Sequence, residues 1–206
     1  MIQVYRYFLI FFLLFYSNII AQNNSQDLLL QNAIQKFNNG NYKGAVIDLN
    51  KLLEDNPKHA DAYFYLAESR IFINENKAAM ESYNKSIKYD DKHFRAFKGR
   101  GKLKAIMGDY RGSIQDFSNS VKINPEYNDG YFNRALSYFN LKEYDASIED
   151  FSKVTELNPQ DYEAYFQRGK VRFEKGDKIN ACLDWSKAAE LGYFEAYEVI
   201  RKKCNE

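Results

Sequence analysis

The sequence predicts an all-α protein made of five helical hairpins that repeat every 34 residues. Its three prolines, Pro57, Pro125 and Pro159, each follow an asparagine and are separated by 68 and 34 residues. Asp91 fills the missing place between Pro57 and Pro125 without an insertion or deletion. A strict period of this length is typical of stacked supersecondary units, each of which buries its apolar face only against its neighbours.

Residues 1–21 precede the repeats and have the pattern of a secretory signal. One basic residue, Arg6, is followed by an apolar run over residues 7–16 and by the small residue Ala21. The run is shorter than the roughly 20 apolar residues that a membrane-spanning helix needs. We therefore expect cleavage after Ala21 and export to a bacterial periplasm or the medium, with residues 22–25 as a short linker. If the signal is not cleaved, it serves as an N-terminal membrane anchor.

The charge balance disfavours nucleic acid as a partner. The chain has 29 basic and 28 acidic residues, and loss of Arg6 with the signal leaves 28 of each. A protein that binds duplex nucleic acid needs a basic surface to displace counterions from the phosphates. A mature chain with zero net charge has no excess of basic residues over acidic ones.

The repeats span residues 26–193, and position 1 is the residue 31 places before each Pro57 equivalent. By strict period the units are 26–59, 60–93, 94–127, 128–161 and 162–195. Position 8 holds the small residues Ala33, Ala67, Gly101, Ala135 and Gly169. Position 24 holds the large residues Leu49, Tyr83, Phe117, Phe151 and Trp185. Small side chains at position 8 and large ones at position 24 predict two helices that pack closely, with interdigitating side chains.

A turn follows at position 15, where four of the five units carry a residue that enters the left-handed region at low cost. The residues at this position are Gly40, Asn74, Gly108, Lys142 and Gly176. Such a residue ends a helix, so each unit has helix A at positions 1–14 and helix B at about 17–30, and Asn-Pro ends helix B. Residues 194–206 form an amphipathic capping helix and tail that covers the last apolar face.

The pattern closely resembles the tetratricopeptide repeat, which shares the 34-residue length, small residues at positions 8 and 20, an aromatic residue at 24 and proline at 32. Residues 133–151 are the best example, and the match covers residues 26–195. The resemblance implies a right-handed superhelical solenoid whose helices A line a concave groove. It also implies a non-catalytic scaffold that binds a peptide segment of a partner protein.

In this family, positions 2, 5, 9, 12 and 13 face the groove. Arg95, Lys98 and Lys102 lie at i, i+3 and i+7 of one helix A and so share one face. Together with large apolar groups at position 5, they suit a segment that has an acidic or C-terminal carboxylate. The predicted partner-binding residues are Phe64, Arg95, Lys98, Lys102, Phe132, Asn133 and Phe166. In the alternative interpretation these cations are solvated and pair with Asp61, Glu68 or Asp129.

No residue pattern indicates an enzyme, a metal site, a cofactor or a small-molecule substrate. His59 and His93 both fall at position 34, in the predicted loops, and have no second histidine or cysteine within a few residues. The carboxylates are expected to be scattered over exposed faces, where no pair has the apolar surroundings that would split their acidities. The sequence therefore predicts a protein without catalytic activity.

The two cysteines, Cys182 and Cys204, fall on helix B of the fifth unit and on the capping helix. Antiparallel packing of these helices would bring them together, and an exported protein meets an oxidising environment. Two interpretations remain open, a disulfide bond and a pair of small buried thiols.

A second functional class is a structural subunit of a cell-envelope assembly. Such a subunit would dock through its convex face or its ends, and self-association would fill the groove. The two classes differ in how the measured mass depends on concentration, because a self-associating subunit does not stay monomeric.

Overall fold

The computed structural model describes residues 26–204, and over this range the chain forms eleven helices and no strand. The predicted signal and linker, residues 1–25, lie outside the described residues. The helices are α1 (26–38), α2 (Tyr42–Asp55), α3 (Ala60–Phe72), α4 (Asn76–Tyr89), α5 (Phe94–Ile106), α6 (Tyr110–Ile123), α7 (Asn128–Asn140), α8 (Tyr144–Leu157), α9 (Tyr162–Lys175), α10 (Lys178–Glu190) and α11 (Glu195–Lys203).

Helices α3 to α10 form four antiparallel pairs, α1 packs on α2 through Ala33, Ala45 and Leu49, and α11 packs against α10. Each helix A begins at position 1 and each helix B at position 17, so the helices start where the repeat pattern predicts and end within one residue of it. The predicted all-α fold of helical hairpins is therefore confirmed. The chain divides into two compact units, one that ends at Asp91 and one that begins at Lys92.

In three of the repeats the side chain at the last position caps the following helix A. The Nδ1 atom of His59 accepts the N–H of Ala62 at 3.3 Å, and Nδ1 of His93 accepts the N–H of Ala96 at 3.1 Å. The carboxylate of Asp161 caps α9 in the same way. Each bond satisfies one of the backbone donors that a helix start leaves without an intrahelical partner. The repeated histidines thus lie in the loops between units, as the sequence predicts, and they cap the helices that follow.

The turn between helix A and helix B has the same backbone conformation in all five repeats. The φ angles at position 15 are 76° for Gly40, 63° for Asn74, 83° for Gly108, 60° for Lys142 and 97° for Gly176. Lys142 follows the pattern even though a β-carbon makes this region unfavourable. The position of the residue in the repeat, and not its own preference, determines its conformation.

Replacing Lys142 by glycine is expected to stabilise the protein by about 1 kcal/mol, because glycine removes the steric cost of a positive φ. The urea midpoint of unfolding measures the change. Lys142→Ala is the matched control, since it removes the same long side chain and keeps the β-carbon. Equal midpoints for the two variants would contradict the explanation.

The seam between helices A and B interdigitates as the small and large columns predict. A β-carbon added to Gly101 would lie 2.9 Å from the ring of Phe117, and one added to Gly169 would lie 2.6 Å from Nε1 of Trp185. Phe151 is fully buried in the fourth repeat. Glycine at position 8 therefore makes room for the largest side chains at position 24.

Candidate functional site

Cavities open along one side of the second unit, which we call the groove face: the side chains at repeat positions 2, 5, 6, 9, 12 and 13 of α5, α7 and α9. The first cavity has a volume of about 280 Å³ and lies between α5, α6 and α7. Its lining residues are Lys102, Ala105, Ile106, Tyr110, Phe117, Asn133, Leu136, Ser137 and Asn140. The predicted groove positions of the third and fourth repeats thus meet around one cavity.

The first cavity combines an apolar floor with a polar mouth. Of the described residues that line it, only Lys102 carries a charge, and its side chain is exposed. Asn133 donates its amide to the carbonyl of Asp129 at 2.6 Å, which fixes the side-chain orientation. A cation and a fixed amide beside apolar surface can bind a group that is apolar in one part and anionic in another.

A second cavity of about 280 Å³ shares Lys102 and Asn133 with the first. It differs in charge, because Asp129, Asp161 and Glu163 also line it. An anion would therefore be repelled here and is better placed toward the first cavity. Lys102 lies between the two cavities.

The three cations predicted to share one face, Arg95, Lys98 and Lys102, differ in their exposure and in their contacts. The ammonium group of Lys98 lies 3.7 Å from the carboxylate of Asp129 and 5.8 Å from the ring centre of Tyr127, and its side chain is only 21% exposed. Arg95 is exposed at the start of α5. Lys102 is the one of the three that opens onto the cavities. For Lys98, the pairing with Asp129 matches the alternative of a neutralised basic helix.

The three phenylalanines at position 5 also differ. Phe132 is half-buried against Phe151 and lines the second cavity, while Phe166 is half-buried and lines a third cavity. Phe64 was expected to be an exposed anchor, but it is only 7% exposed and its ring packs against Tyr65 and Tyr83. Phe64 is therefore a core residue of the first unit.

Position 9 of the second repeat holds Glu68, which accepts a hydrogen bond from the phenol of Tyr83. Tyr83 is fully buried. Burial raises the pKa of the Tyr83 phenol far above its ordinary value, and the neighbouring Glu68 carboxylate raises it further. The phenol therefore stays protonated and holds Glu68 in place.

The largest departure from the sequence interpretation concerns the carboxylates. They were expected on exposed faces, but Asp116, Asp150 and Asp184 at position 23 are 1%, 4% and 4% exposed. Each accepts two hydrogen bonds from the arginine at position 7 of its own repeat. The pairs are Arg100–Asp116, Arg134–Asp150 and Arg168–Asp184, with bond lengths of 2.7–3.0 Å. These carboxylates are structural, since the arginines occupy both oxygens of each.

Two of these arginines also tie their repeat to the one before it. Arg134 donates a further bond to Ser118 Oγ at 3.0 Å, and Arg168 donates one to Ser152 Oγ at 3.0 Å. Burial raises the pKa of the Asp150 carboxyl above its ordinary value, while the hydrogen bonds from Arg134 act in the opposite direction. Those hydrogen bonds raise the pKa of Arg134. Arg134 thus remains charged and holds two repeats together.

The structure joins Cys182 and Cys204 in a disulfide that fastens α11 to α10, with the two Cα atoms 5.9 Å apart. Within residues 26–204 no cluster of three metal-ligating side chains is found. None of the described helices has the length and apolar composition that crossing a membrane requires.

Sequence and structure comparisons agree on the type of repeat. Residues 30–92 and 129–161 match family models of the tetratricopeptide repeat. No curated protein sequence matches the chain.

Many solved structures are similar in fold, and three of them are MamA, Pseudomonas aeruginosa pilF and YrrB. MamA has 23% identity and a TM-score of 0.74, over 84% of this chain and 94% of its own. Pseudomonas aeruginosa pilF has 22% identity and a TM-score of 0.75, and the match covers 84% of this chain and 78% of pilF. YrrB, described as a TPR protein with an unusual peptide-binding site, has 17% identity and a TM-score of 0.73. The match covers 84% of this chain and 90% of YrrB.

Proposed function

Because the chain is a tetratricopeptide-repeat protein, we propose that it is a non-catalytic scaffold that binds a peptide segment of a partner protein on the groove face of its second unit. The repeat fold supports a role in protein–protein interaction, and proteins of this family are typically non-catalytic. The likeness to YrrB, whose description names a peptide-binding site, is in keeping with this role.

The observation that carries the proposal is the first cavity, where Lys102 stands at the edge of an apolar pocket. The segment places an apolar side chain in the pocket. An acidic side chain or the C-terminal carboxylate then lies near the Lys102 ammonium group and the Asn133 amide. Such charge-assisted hydrogen bonds are stronger than neutral ones and fix the orientation of a peptide.

Export is part of the proposal and rests on residues 1–21 of the sequence. The partner is then a protein of the periplasm or the cell surface. N-terminal sequencing of the exported protein tests this step, and Gln22 as the first residue is the expected result.

Selection from a library of peptides with free C-termini, with the protein from Gln22 onward as bait, tests the binding function. Selected peptides are expected to end in an apolar residue. Lys102→Glu is expected to weaken their binding by at least about tenfold, which corresponds to the loss of one charge-assisted hydrogen bond.

Lys122→Glu is the matched control, because Lys122 is exposed on helix B of the same repeat and lines none of the cavities described above. It makes the same charge change and is expected to leave the affinity within about twofold. If both variants bind the selected peptides as tightly as the unchanged protein does, the first cavity is not the binding site.

A second candidate function is that of a structural subunit that docks through its C-terminal end. It is favoured by apolar side chains that are exposed there. Ile179 and Leu183, one turn apart on α10, are 79% and 62% exposed, and Phe194 and Tyr197 are 77% and 57% exposed. Exposed apolar surface of this kind marks interaction sites. A mass that rises with concentration in sedimentation experiments would support this candidate, and a constant monomer mass would remove it.

A further inference from the structure

The third cavity lies in the fifth repeat, between α9, α10 and α11, and has a volume of about 310 Å³. Its lining residues are Phe166, Lys170, Phe173, Glu174, Trp185, Val199 and Lys203. It shares no lining residue with the cavity beside Lys102, but Phe166, Lys170 and Phe173 stand at groove-face positions of α9. It is therefore a second binding place on that face, and Lys102 takes no part in it. Its size is at the lower end of the range for small-ligand pockets.

The walls of the third cavity are aromatic. The rings of Phe173 and Trp185 lie 5.5 Å apart, centre to centre, at an angle of 37°. The indole N–H of Trp185 donates to the carbonyl of Phe166 at 3.2 Å, so the one polar atom of the indole already has a partner. These walls therefore offer apolar contacts without a polar group that a ligand must satisfy.

Two ammonium groups lie over one aromatic wall, Phe173, and a third, that of Lys170, lies over a ring outside the cavity. Lys203 Nζ lies 5.0 Å and Lys178 Nζ 6.0 Å from the ring centre of Phe173, and Lys170 Nζ lies 5.9 Å from the ring centre of Phe139. Among the described residues, none of the three lysines has a carboxylate within ion-pair distance.

The cations on the other side of α9 are in a different situation. Arg168 and Arg172 pair with Asp184, and Lys175 pairs with Asp145. Within residues 26–204, positive charge is thus neutralised by ion pairs away from the third cavity and has no carboxylate partner at ion-pair distance around it. Of the described residues that line the cavity, only the exposed Glu174 is acidic.

From this geometry we propose that the third cavity binds an apolar, preferably aromatic, group that carries a carboxylate beside it. The ring occupies the space between Phe166, Phe173 and Trp185, and the carboxylate meets the ammonium groups of Lys203 and Lys170. Two sources have this chemistry: a free aromatic carboxylic acid, and the C-terminal phenylalanine of a peptide.

Trp185 is the single tryptophan of the chain, so its fluorescence reports on this cavity alone. The probes are 3-phenylpropionate and acetyl-glycyl-glycyl-phenylalanine with a free C-terminus. The amides of both compounds are the uncharged controls. Each acid is expected to change the Trp185 emission in a saturable way and to bind about tenfold more tightly than its amide.

Lys203→Glu is expected to weaken binding of both acids by about tenfold or more. Lys202→Glu is the matched control on the same helix, because its side chain is 68% exposed and does not line the cavity. It is expected to leave binding within about twofold. The comparison of acids with amides uses the unchanged protein, so it stands even if a variant fails to fold.

Tighter binding of the peptide than of 3-phenylpropionate identifies a peptide terminus as the ligand, and the reverse order identifies a free acid. Amides that bind as tightly as the acids would overturn the proposal. Equal binding by the Lys203 and Lys202 variants, or no change in Trp185 emission with any probe, would also overturn it.

Discussion

Replacing Arg134 by methionine is expected to lower the free energy of unfolding by about 3 kcal/mol, the largest effect of any single substitution that we propose. The change leaves Asp150, which is 4% exposed, as a buried charge without its arginine. Breaking a buried pair by removing one partner typically costs about 3–5 kcal/mol. We expect the lower end, because 18% of the Arg134 side chain is exposed. Urea unfolding measures the change.

Arg168→Met is the matched control for this prediction. Asp184 also accepts a 2.7 Å bond from Arg172, so it keeps one cation when Arg168 is removed. The loss is therefore expected to be roughly half as large. The double variant Arg134→Met, Asp150→Leu is expected to recover most of the lost stability, because apolar residues of similar size often replace a buried ion pair at little cost. Equal losses for the Arg134 and Arg168 variants would contradict this account.

The deficit of the Arg134 variant is also expected to depend on pH. Burial raises the pKa of Asp150 above its ordinary value of 3.8, and the arginine lowers it, so removing the arginine raises it further. A raised acid pKa means that the folded state binds the proton more tightly than the unfolded state does. Stability relative to the unchanged protein should therefore recover as the pH falls through the raised pKa toward 3.8. A deficit that is constant with pH would exclude an unpaired Asp150 as its cause.

The arginine–aspartate pairs could have been predicted from the sequence. Arg100, Arg134 and Arg168 are spaced by the period of 34 residues, and each precedes its aspartate by 16 residues. In a repeat where helices A and B are antiparallel, a column of arginines and a column of aspartates at fixed spacing indicate a repeated ion pair. A carboxylate taken singly is expected on an exposed face, and only the aligned repeats show that an arginine stands at a fixed distance from it.

Lys142 shows why the repeat pattern predicts more than the residue itself. Its side chain disfavours a positive φ, yet the turn has the same conformation as the four that contain glycine or asparagine. Packing of the two helices on either side determines where the chain must reverse. The period therefore predicted the helix boundaries to within one residue.

The environment of the groove residues was less predictable. The position of a residue in the repeat indicates which face of the helix its side chain is on, but not which neighbouring side chains cover it. Phe64, Phe132 and Phe166 occupy the same position, but Phe64 is buried against two tyrosines and the other two line cavities. Lys98 has the same charge as Lys102, but Asp129 on α7 pairs with it. These differences arise from neighbouring helices, and they become visible only when the three-dimensional contacts are known.

Removing the disulfide by the double substitution Cys182→Ser, Cys204→Ser is expected to destabilise the C-terminal end by about 3 kcal/mol. The bond closes a loop between residues 22 positions apart, and the chain-entropy model gives about 3 kcal/mol for a loop of this size. The loss should concentrate in α11, since a helix of nine residues is marginal on its own. Without the bond, α11 is held by the packing of Ala196 and Ile200 against α9 and α10.

Hydrogen exchange locates this loss. Amides of α11 are expected to lose protection in the double variant, while those of α7 and α8 keep theirs, because local opening follows local contacts. Adding a reductant to the unchanged protein should reproduce the effect, and adding it to the double variant should do nothing further. Reduction of the unchanged protein should also weaken the binding of 3-phenylpropionate in the third cavity, because Val199 and Lys203 are on the released helix. Unchanged protection of α11 after reduction would mean that packing alone holds the helix in place.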